Sequence, residues 1–340
     1  MRKDKYNVAI VGSTGAVGQE MISILGERNF PLGELHLLAS KRSAGKEQTV
    51  NGKILTVREL DHNCFDSVDI ALFSAGASMS RDYAESAVKA GAVVIDNSSA
   101  YRLDNDVPLI IPEINPDSIS SYRKKGIIAN PNCTTAVAVM ALKPLHDLAH
   151  IKRVVATSFQ AVSGAGAGGI SELENQTKAW ISSEKIENTT FPHPIAFNVI
   201  PHIDVFQENS YTKEEMKFHY ETRKILGDDN IQLTATTVRV PVFRAHSVSV
   251  NIETEIKVSV EKAKEALENF PGIDVVDDPD SSLYPMPIDA AGKDECFVGR
   301  IREDFTVEKG LSFWVVGDQL RKGAALNAVQ IAELFILNNA

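Results

Sequence analysis

The sequence predicts an α/β chain: a doubly wound parallel sheet followed by a second, mixed α+β domain. Three observations carry this reading. A short apolar strand, Tyr6 to Val11, runs into a glycine turn and a helix-like stretch. Apolar strands and helical stretches then alternate as far as Ala129, the βαβαβ pattern of a parallel sheet. From Arg153 onward, strand-rich sequence with many β-branched residues replaces that alternation. A chain of 340 residues is too long for one small core and suits two domains of ordinary size. The expected division is 1–132 for the nucleotide domain, rejoined by a C-terminal helix over 319–340, and 133–318 for the second domain.

After the first strand come Gly12-Ser13-Thr14-Gly15-Ala16-Val17-Gly18 and a helical stretch from Gln19 to Leu25. Glycines between a strand and a helix permit a tight turn and close approach of backbone to a pyrophosphate at the helix N-terminus. The spacing G-x-x-G-x-x-G is a variant of the dinucleotide fingerprint, and a βα turn without ligand is the alternative. Leu35 to Ala39 reads as the second strand. A cofactor with a free ribose 2′-OH meets an Asp or Glu at the end of this strand. Here stand Ser40-Lys41-Arg42-Ser43, with no carboxylate. A guanidinium and hydroxyls suit a 2′-phosphate, so the reading is NADP rather than NAD; a solvated basic loop is the alternative.

Val68 to Ser74 and Ala92 to Asn97 read as further strands, separated by a helix around Arg81 to Ala90. Ser74-Ala75-Gly76 and Asp96-Asn97-Ser98-Ser99 fall at strand ends, where such Rossmann-type sheets bind ligands. Arg102 either clamps a phosphate or is a surface arginine. Ile110 to Glu113 and Gly126 to Ala129 complete the expected strand set.

That set delivers the chain to Asn130-Pro131-Asn132-Cys133-Thr134-Thr135 and the apolar run Ala136 to Leu142. Pro131 blocks a helix before it, and Asn132 suits an N-cap. Cys133 then falls in the first helical turn, where unpaired N–H groups and the macrodipole favour an anion. Such a place lowers a thiol pKa and populates thiolate, the nucleophilic form. A small buried hydrophobe is the alternative. Position at the ligand-bearing edge of a nucleotide domain favours the nucleophile.

Arg153 to Gln160 is a β-branched strand, followed by Ser163-Gly164-Ala165-Gly166-Ala167-Gly168-Gly169 and a helix from about Ile170. Glycines there clear side chains from the approach of a flat ring, or simply make a flexible loop. Gln160 either positions a carbonyl or faces solvent. His193 and His202 lie in a proline-rich segment and read as loop or packing residues. Thr212 to Leu226 is a helix with a capping box, Thr212 to Glu215, and a stop at Gly227. Glu214 and Lys217 share one face, which from spacing alone reads as a solvated ion pair. Ile231 to Val242 and Ser247 to Val258 read as strands. Arg239 and His246 share a site only if the chain bends between them, and Pro241 makes room for a bend. A cysteine nucleophile needs a proton-transfer partner, which lifts His246 above a structural histidine. Strands near Phe297 to Arg302 and Leu311 to Val316, then a helix from Ala324 to Leu337, finish the chain.

Composition excludes several classes. Hydrophobic residues are 44% and charged residues 24%, a globular balance, and the net charge is −10. An acidic chain is a poor partner for nucleic acid or an anionic membrane. Three cysteines, Cys64, Cys133 and Cys296, suit a reducing compartment better than a disulfide framework. No cysteine or histidine pattern is read as a zinc site, and no metal is expected. No apolar run has the length of a membrane span, and the N-terminus does not read as a signal peptide. A cytoplasmic protein is expected.

Together, Gly12 to Gly18, Ser40 to Gly45, Asn130-Pro131-Asn132-Cys133, Gln160-Ala161-Val162-Ser163-Gly164 and Arg239 to Ser247 make the chain resemble aspartate-semialdehyde dehydrogenase in its NADP-favouring bacterial branch. The resemblance covers nearly the whole length. It implies reduction of L-aspartyl-4-phosphate to L-aspartate 4-semialdehyde with release of phosphate, in lysine, methionine, threonine and diaminopimelate synthesis. Cys133 matches the thioester nucleophile, His246 the acid/base and Gln160 the group orienting the substrate. Arg239 and Glu214 match the holders of the substrate's carboxylate and amine, with Glu215 beside Glu214 as an alternative. Arg102, Asn132 and Lys217 match phosphate contacts. Gly12, Thr14, Gly15, Ala16, Val17, Arg42, Ser43, Ser163, Gly164 and Gln319 match the NADP site. The second domain is then catalytic and builds a homodimer or a homotetramer. N-acetyl-glutamyl-phosphate reductase has a similar layout and is the nearest rival. A non-catalytic nucleotide sensor on the same fold is a rival of another kind.

Overall fold

The computed structural model describes residues 3–50 and 52–338. The chain divides into two compact units, Met1–Asn132 with Ala324–Ala340, and Cys133–Gly323. The first unit opens with β1 (Tyr6–Val11), α1 (Ala16–Glu27) and β2 (Leu32–Ala39). An antiparallel hairpin, β3 (Glu47–Val50) and β4 (Lys53–Thr56), and the short β5 (Arg58–Glu59) follow. Then come β6 (Ile70–Phe73), α2 (Ala77–Lys89), β7 (Val93–Asp96) and β8 (Ile127–Ala129).

Among the described residues the main sheet has the order β5-β2-β1-β6-β7-β8, with every pairing parallel. Strand order grows outward in both directions from β1, so a switch point lies between β1 and β6, where such sheets receive ligands. Val8, Ile10, Ile70, Leu72, Ile95 and Ile128 are fully buried, as strands covered on both faces require. Burial of each such side chain is worth about 1.5–3 kcal/mol.

Ile110 to Glu113 is not a strand. Just before it, Leu109 makes an isolated bridge with Ala129. Asn115 explains this: its Oδ1 accepts from the Ile111 N–H at 2.9 Å and its Nδ2 donates to the Leu109 carbonyl at 2.8 Å. These bonds occupy the groups a ladder would use, and Pro112 has no N–H to offer. The hairpin β3–β4 has no counterpart in the sequence reading, because its strands are short and mostly exposed and show no buried alternation.

The second unit begins with α3 (Cys133–Ala149), β9 (Ile151–Gln160), α4 (Ala167–Ile181) and α5 (Lys213–Leu226). It continues with β10 (Gln232–Arg239), β11 (His246–Thr254), α6 (Val260–Glu268) and β12 (Ile273–Val275). α7 (Pro287–Ala290), β13 (Cys296–Asp304) and β14 (Gly310–Gly317) complete it. Its sheet is mixed, in the order β10-β9-β11-β14-β13-β12. β10 runs parallel to β9, and β11 antiparallel to it. The chain re-enters the first unit at Ala324 rather than at Gln319. The buried Asp318 carboxylate holds the intervening turn by accepting from the Leu320 N–H at 2.8 Å. The last helix, α8 (Leu326–Asn338), buries Leu326, Val329, Ile331 and Ile336 in the core of the first unit.

Candidate active site

In the second unit, strand register brings three expected site residues to one end of the sheet. Gln160 ends β9 and pairs with Arg239, the last residue of β10. On the other side of β9, Ser247 of β11 pairs with Phe159, so His246 emerges at the same edge. The two strands do not form a hairpin; β9 lies between them. The chain turns between Arg239 and His246, with Ala245 in the left-handed region at φ 73°.

The glycine loop closes over this edge. A Cβ on Gly164 would stand 2.8 Å from Arg239 Nη1 and 3.3 Å from His246 Nε2, so only glycine fits without displacement. Arg239 Nη1 donates to the Ala161 carbonyl at 2.6 Å, and its guanidinium lies over the Phe191 ring at 5.6 Å. Burial lowers the pKa of this guanidinium, against the opposing pull of Glu214 and, less strongly, of Cys133.

His246 is fully buried. Its Nδ1 accepts the Ala161 N–H at 3.1 Å, so the neutral ring carries its proton on Nε2. That Nε2 has no hydrogen-bond partner among the described residues. Burial first, and the Arg239 charge second, lower the pKa from 6.5 to about 3. The geometry is that of a neutral imidazole donating from Nε2.

Glu214 differs from its sequence reading. It is buried rather than solvated, and its Oε1 accepts from Gln160 Nε2 at 3.2 Å. Lys217 Nζ reaches Glu214 at 3.0 Å and Asp204 at 2.8 Å. Burial works against the charge of Lys217, but these carboxylates outweigh it and raise its pKa. Glu215 is spoken for by the fold. Its Oε2 accepts the Thr212 N–H at 2.7 Å, closing the capping box, and its Oε1 accepts the Thr237 N–H at 2.9 Å. Of the two glutamates, Glu214 is therefore the one facing Gln160.

Cys133 is the first residue of α3 and is partly exposed, whereas Cys64 and Cys296 are buried. Gly323 passes so close that a Cβ there would meet Cys133 Cβ at 2.9 Å. Gly323 belongs to a π-helical turn, Arg321–Ala325, a feature frequent at functional sites. Gln319 donates to Ser163 Oγ and accepts the Ala245 N–H at 2.8 Å, so it joins the glycine loop to the residue before His246. Asp318, which the sequence reading does not single out, accepts from Arg244 Nε and the Gly292 N–H, each at 2.6 Å. Nothing in local spacing points to that role, because its partners are remote in sequence.

In the first unit, Gly12 has φ 91°, and a Cβ there would meet the Ser74 backbone at 3.0 Å. A Cβ on Gly18 would lie 2.3 Å from the Gly12 carbonyl. α1 starts after Gly15 with no side-chain cap and no acidic residue in its first turn. Its N–H groups and dipole thus face a cradle that suits a phosphate group. Thr14 Oγ1 and the buried Ser43 Oγ are 3.4 Å apart, and Arg42 beside them is exposed. Arg102 is buried, not a surface arginine. It donates from Nε to the Asn130 carbonyl at 2.8 Å and from Nη2 to the Asn97 carbonyl at 2.6 Å, which holds it at the ends of β8 and β7. Asn132 is buried directly before α3.

Residues 7–122 match the family model described as semialdehyde dehydrogenase, NAD binding domain, and residues 142–322 match semialdehyde dehydrogenase, dimerisation domain. The fold, the glycine cradle and these matches define an oxidoreductase of the semialdehyde dehydrogenase class. It uses a nicotinamide dinucleotide and a small-molecule substrate, and its second domain serves oligomerisation. The chain is 58% identical over 333 residues to aspartate-semialdehyde dehydrogenase of Aquifex aeolicus, covering 97% of this chain and 98% of that one. It is similar to the crystal structure of aspartate semialdehyde dehydrogenase II of Vibrio cholerae complexed with ASA, at 47% identity and a TM-score of 0.95, covering 98% of each chain. It is also similar to aspartate semialdehyde dehydrogenase with NADP from Candida albicans, at 26% identity and a TM-score of 0.75, covering 97% of this chain and 98% of that one. The chain belongs to the aspartate-semialdehyde dehydrogenase family. Among the described residues, no helix is long and apolar enough to cross a membrane.

Proposed function

We propose that the chain reduces L-aspartyl-4-phosphate to L-aspartate 4-semialdehyde and phosphate with NADPH, in the cytoplasmic synthesis of lysine, methionine, threonine and diaminopimelate. The observation that carries this reading is the meeting of Arg239 and His246 at Gly164, with the Gln160–Glu214 pair joined to Arg239 through strand register, in the unit that Cys133 opens. Cys133, as thiolate, attacks the acyl-phosphate carbonyl and expels phosphate, which leaves a thioester on its sulfur. Gln160 orients the acyl chain. Arg239 takes the substrate's α-carboxylate and Glu214 its ammonium, which gives each charged end an opposite charge. His246 donates from Nε2 to the oxygen that gains negative charge as the carbonyl is attacked, and is the proposed proton-transfer group for the reaction. Arg102, Asn132 and Lys217 are the proposed phosphate contacts.

The first unit's glycine turn fits a pyrophosphate, and Gly12, Thr14, Gly15, Ala16 and Val17 are proposed to hold it. Arg42 and Ser43 are proposed for the 2′-phosphate, which favours NADP over NAD. Ser163, Gly164 and Gln319 are the proposed contacts from the second unit. When bound, the cofactor supplies the hydride. The proposed assembly is a homodimer or homotetramer, to be read as two or four times the chain mass by light scattering.

The test is NADPH production from aspartate semialdehyde with and without inorganic phosphate, before and after alkylation of Cys133. Phosphate-dependent production that alkylation abolishes is expected. Turnover of the N-acetylated glutamyl analogue alone would favour the rival reductase, and production untouched by alkylation would remove Cys133 from the chemistry.

A further inference from the structure

Far from the candidate active site, the second unit gathers two imidazoles and a carboxylate. His146 lies in the last turn of α3, and His150 follows the helix end, four residues on, with φ 51°. Their rings are 4.9 Å apart between centroids. Asp228 follows the glycine that ends α5, and its side chain is 11% exposed. Its Oδ1 accepts from the Asn230 N–H at 2.9 Å. Its Oδ2 is buried without a hydrogen bond among the described residues and faces His150 Nε2 at 3.5 Å and His146 Nε2 at 3.9 Å. One ligand atom from each of the three residues lies within 4.8 Å of the others. Glu255 Oε1 stands 3.9 Å from His150 Nε2, beside a cavity of about 280 Å³ that His150, Asp228 and Glu255 help to line.

We infer that these residues form a binding site for a divalent transition-metal cation of the zinc type. Ligands about 2.0–2.2 Å from a tetrahedral Zn²⁺ stand somewhat over 3 Å from one another. The two measured separations from Asp228 exceed this by only a few tenths of an ångström. An unbonded carboxylate oxygen aimed at two imidazole nitrogens is the group a cation satisfies. Glu255 or water from the cavity completes the shell. The His-x-x-x-His spacing across a helix end is the sequence signal, one that the reading of no metal site passes over.

Ligand chemistry narrows the cation. His146 Nδ1 accepts the Ile151 N–H at 3.2 Å. Binding a metal through Nε2 moves the ring proton to Nδ1 and gives up that long bond. Only a cation with high affinity for imidazole, such as Zn²⁺, Ni²⁺ or Cu²⁺, compensates; Mg²⁺ and Ca²⁺ prefer oxygen. His146 lies thirteen residues beyond Cys133 on α3, about 20 Å at 1.5 Å per residue. The site is a clip between the ends of α3 and α5 and takes no part in the reaction.

Untagged protein, alkylated at Cys133 so that its thiol does not compete, is titrated with Co²⁺ and read by visible absorption. Thermal unfolding is followed in parallel with Zn²⁺. One Co²⁺ per chain with a nitrogen–oxygen spectrum is expected, together with a Tm several degrees higher in Zn²⁺ and loss of the Ile151 amide's protection from exchange. His150→Asn, tolerated at a positive φ, and Asp228→Asn each weaken binding by about a hundredfold or more. Without alkylation, both variants keep wild-type turnover. Binding of less than one cation per chain, or equal affinity in the wild type and both variants, overturns the site.

Discussion

At the scale of single residues, two atoms decide how the candidate site works. One is His246 Nε2, buried and without a hydrogen-bond partner among the described residues. With a pKa lowered from 6.5 to about 3 by burial and by Arg239, the folded chain stays neutral here while the unfolded chain takes up a proton below pH 6.5. The unfolded state then binds more protons, so stability falls as pH falls from 6.5 toward 3, by up to about 1.4 kcal/mol per pH unit from this group. Urea unfolding at pH 7 and pH 5 is expected to show a smaller loss in His246→Asn than in the wild type. Equal losses would mean that His246 is not held neutral. The other atom is the missing Cβ of Gly164. Gly164→Ala must displace Arg239 or His246 by roughly half an ångström, which is expected to lower the rate by about tenfold. Steady-state kcat, with circular dichroism to confirm the fold, checks this. The residue types at the site were legible in the sequence. The burial of Glu214 was not, because a spacing of three residues on a helix is the same for a solvated pair and a buried one.

Elements show where local signals suffice. The capping box of α5 and its glycine stop, with Gly227 at φ 70°, follow from short-range chemistry and were read directly. What the sequence did not reveal is that Glu215 also holds β10 through the Thr237 N–H. This second bond sets the rotation of α5 and leaves Glu214 turned toward Gln160. Thr212→Ala should cost about 1 kcal/mol of stability through the lost cap. Glu215→Gln should cost at least as much and, by loosening Glu214, also raise KM for the amino-acid substrate. An unchanged KM with lower stability would separate the cap from the site. Ile110 to Glu113 failed as a strand for a similar reason: apolar residues predicted pairing, while one Asn side chain took the backbone groups.

For the whole molecule, alternation of strands and helices was enough to read a doubly wound sheet, because each parallel strand buried on both faces is a plain apolar run. The mixed sheet was harder. Only its register, which inserts β9 between β10 and β11, explains how Arg239 and His246 come to the same edge, and register is not local information. Cofactor choice belongs at this scale as well, since no carboxylate follows β2. Arg42→Ala is expected to raise the Kd for NADPH by tenfold or more, about 1.4 kcal/mol, and leave that for NADH nearly unchanged. Titrations of both nucleotides by fluorescence check it, and equal weakening would rule out the 2′-phosphate role.

The bare start of α1 has a practical consequence. Among the described residues no side chain caps it, so its leading amides depend on solvent until an anion arrives. Deuterium uptake at Ala16 and Val17 should therefore slow when dinucleotide is added, giving a gauge of occupancy that works in variants with no turnover at all.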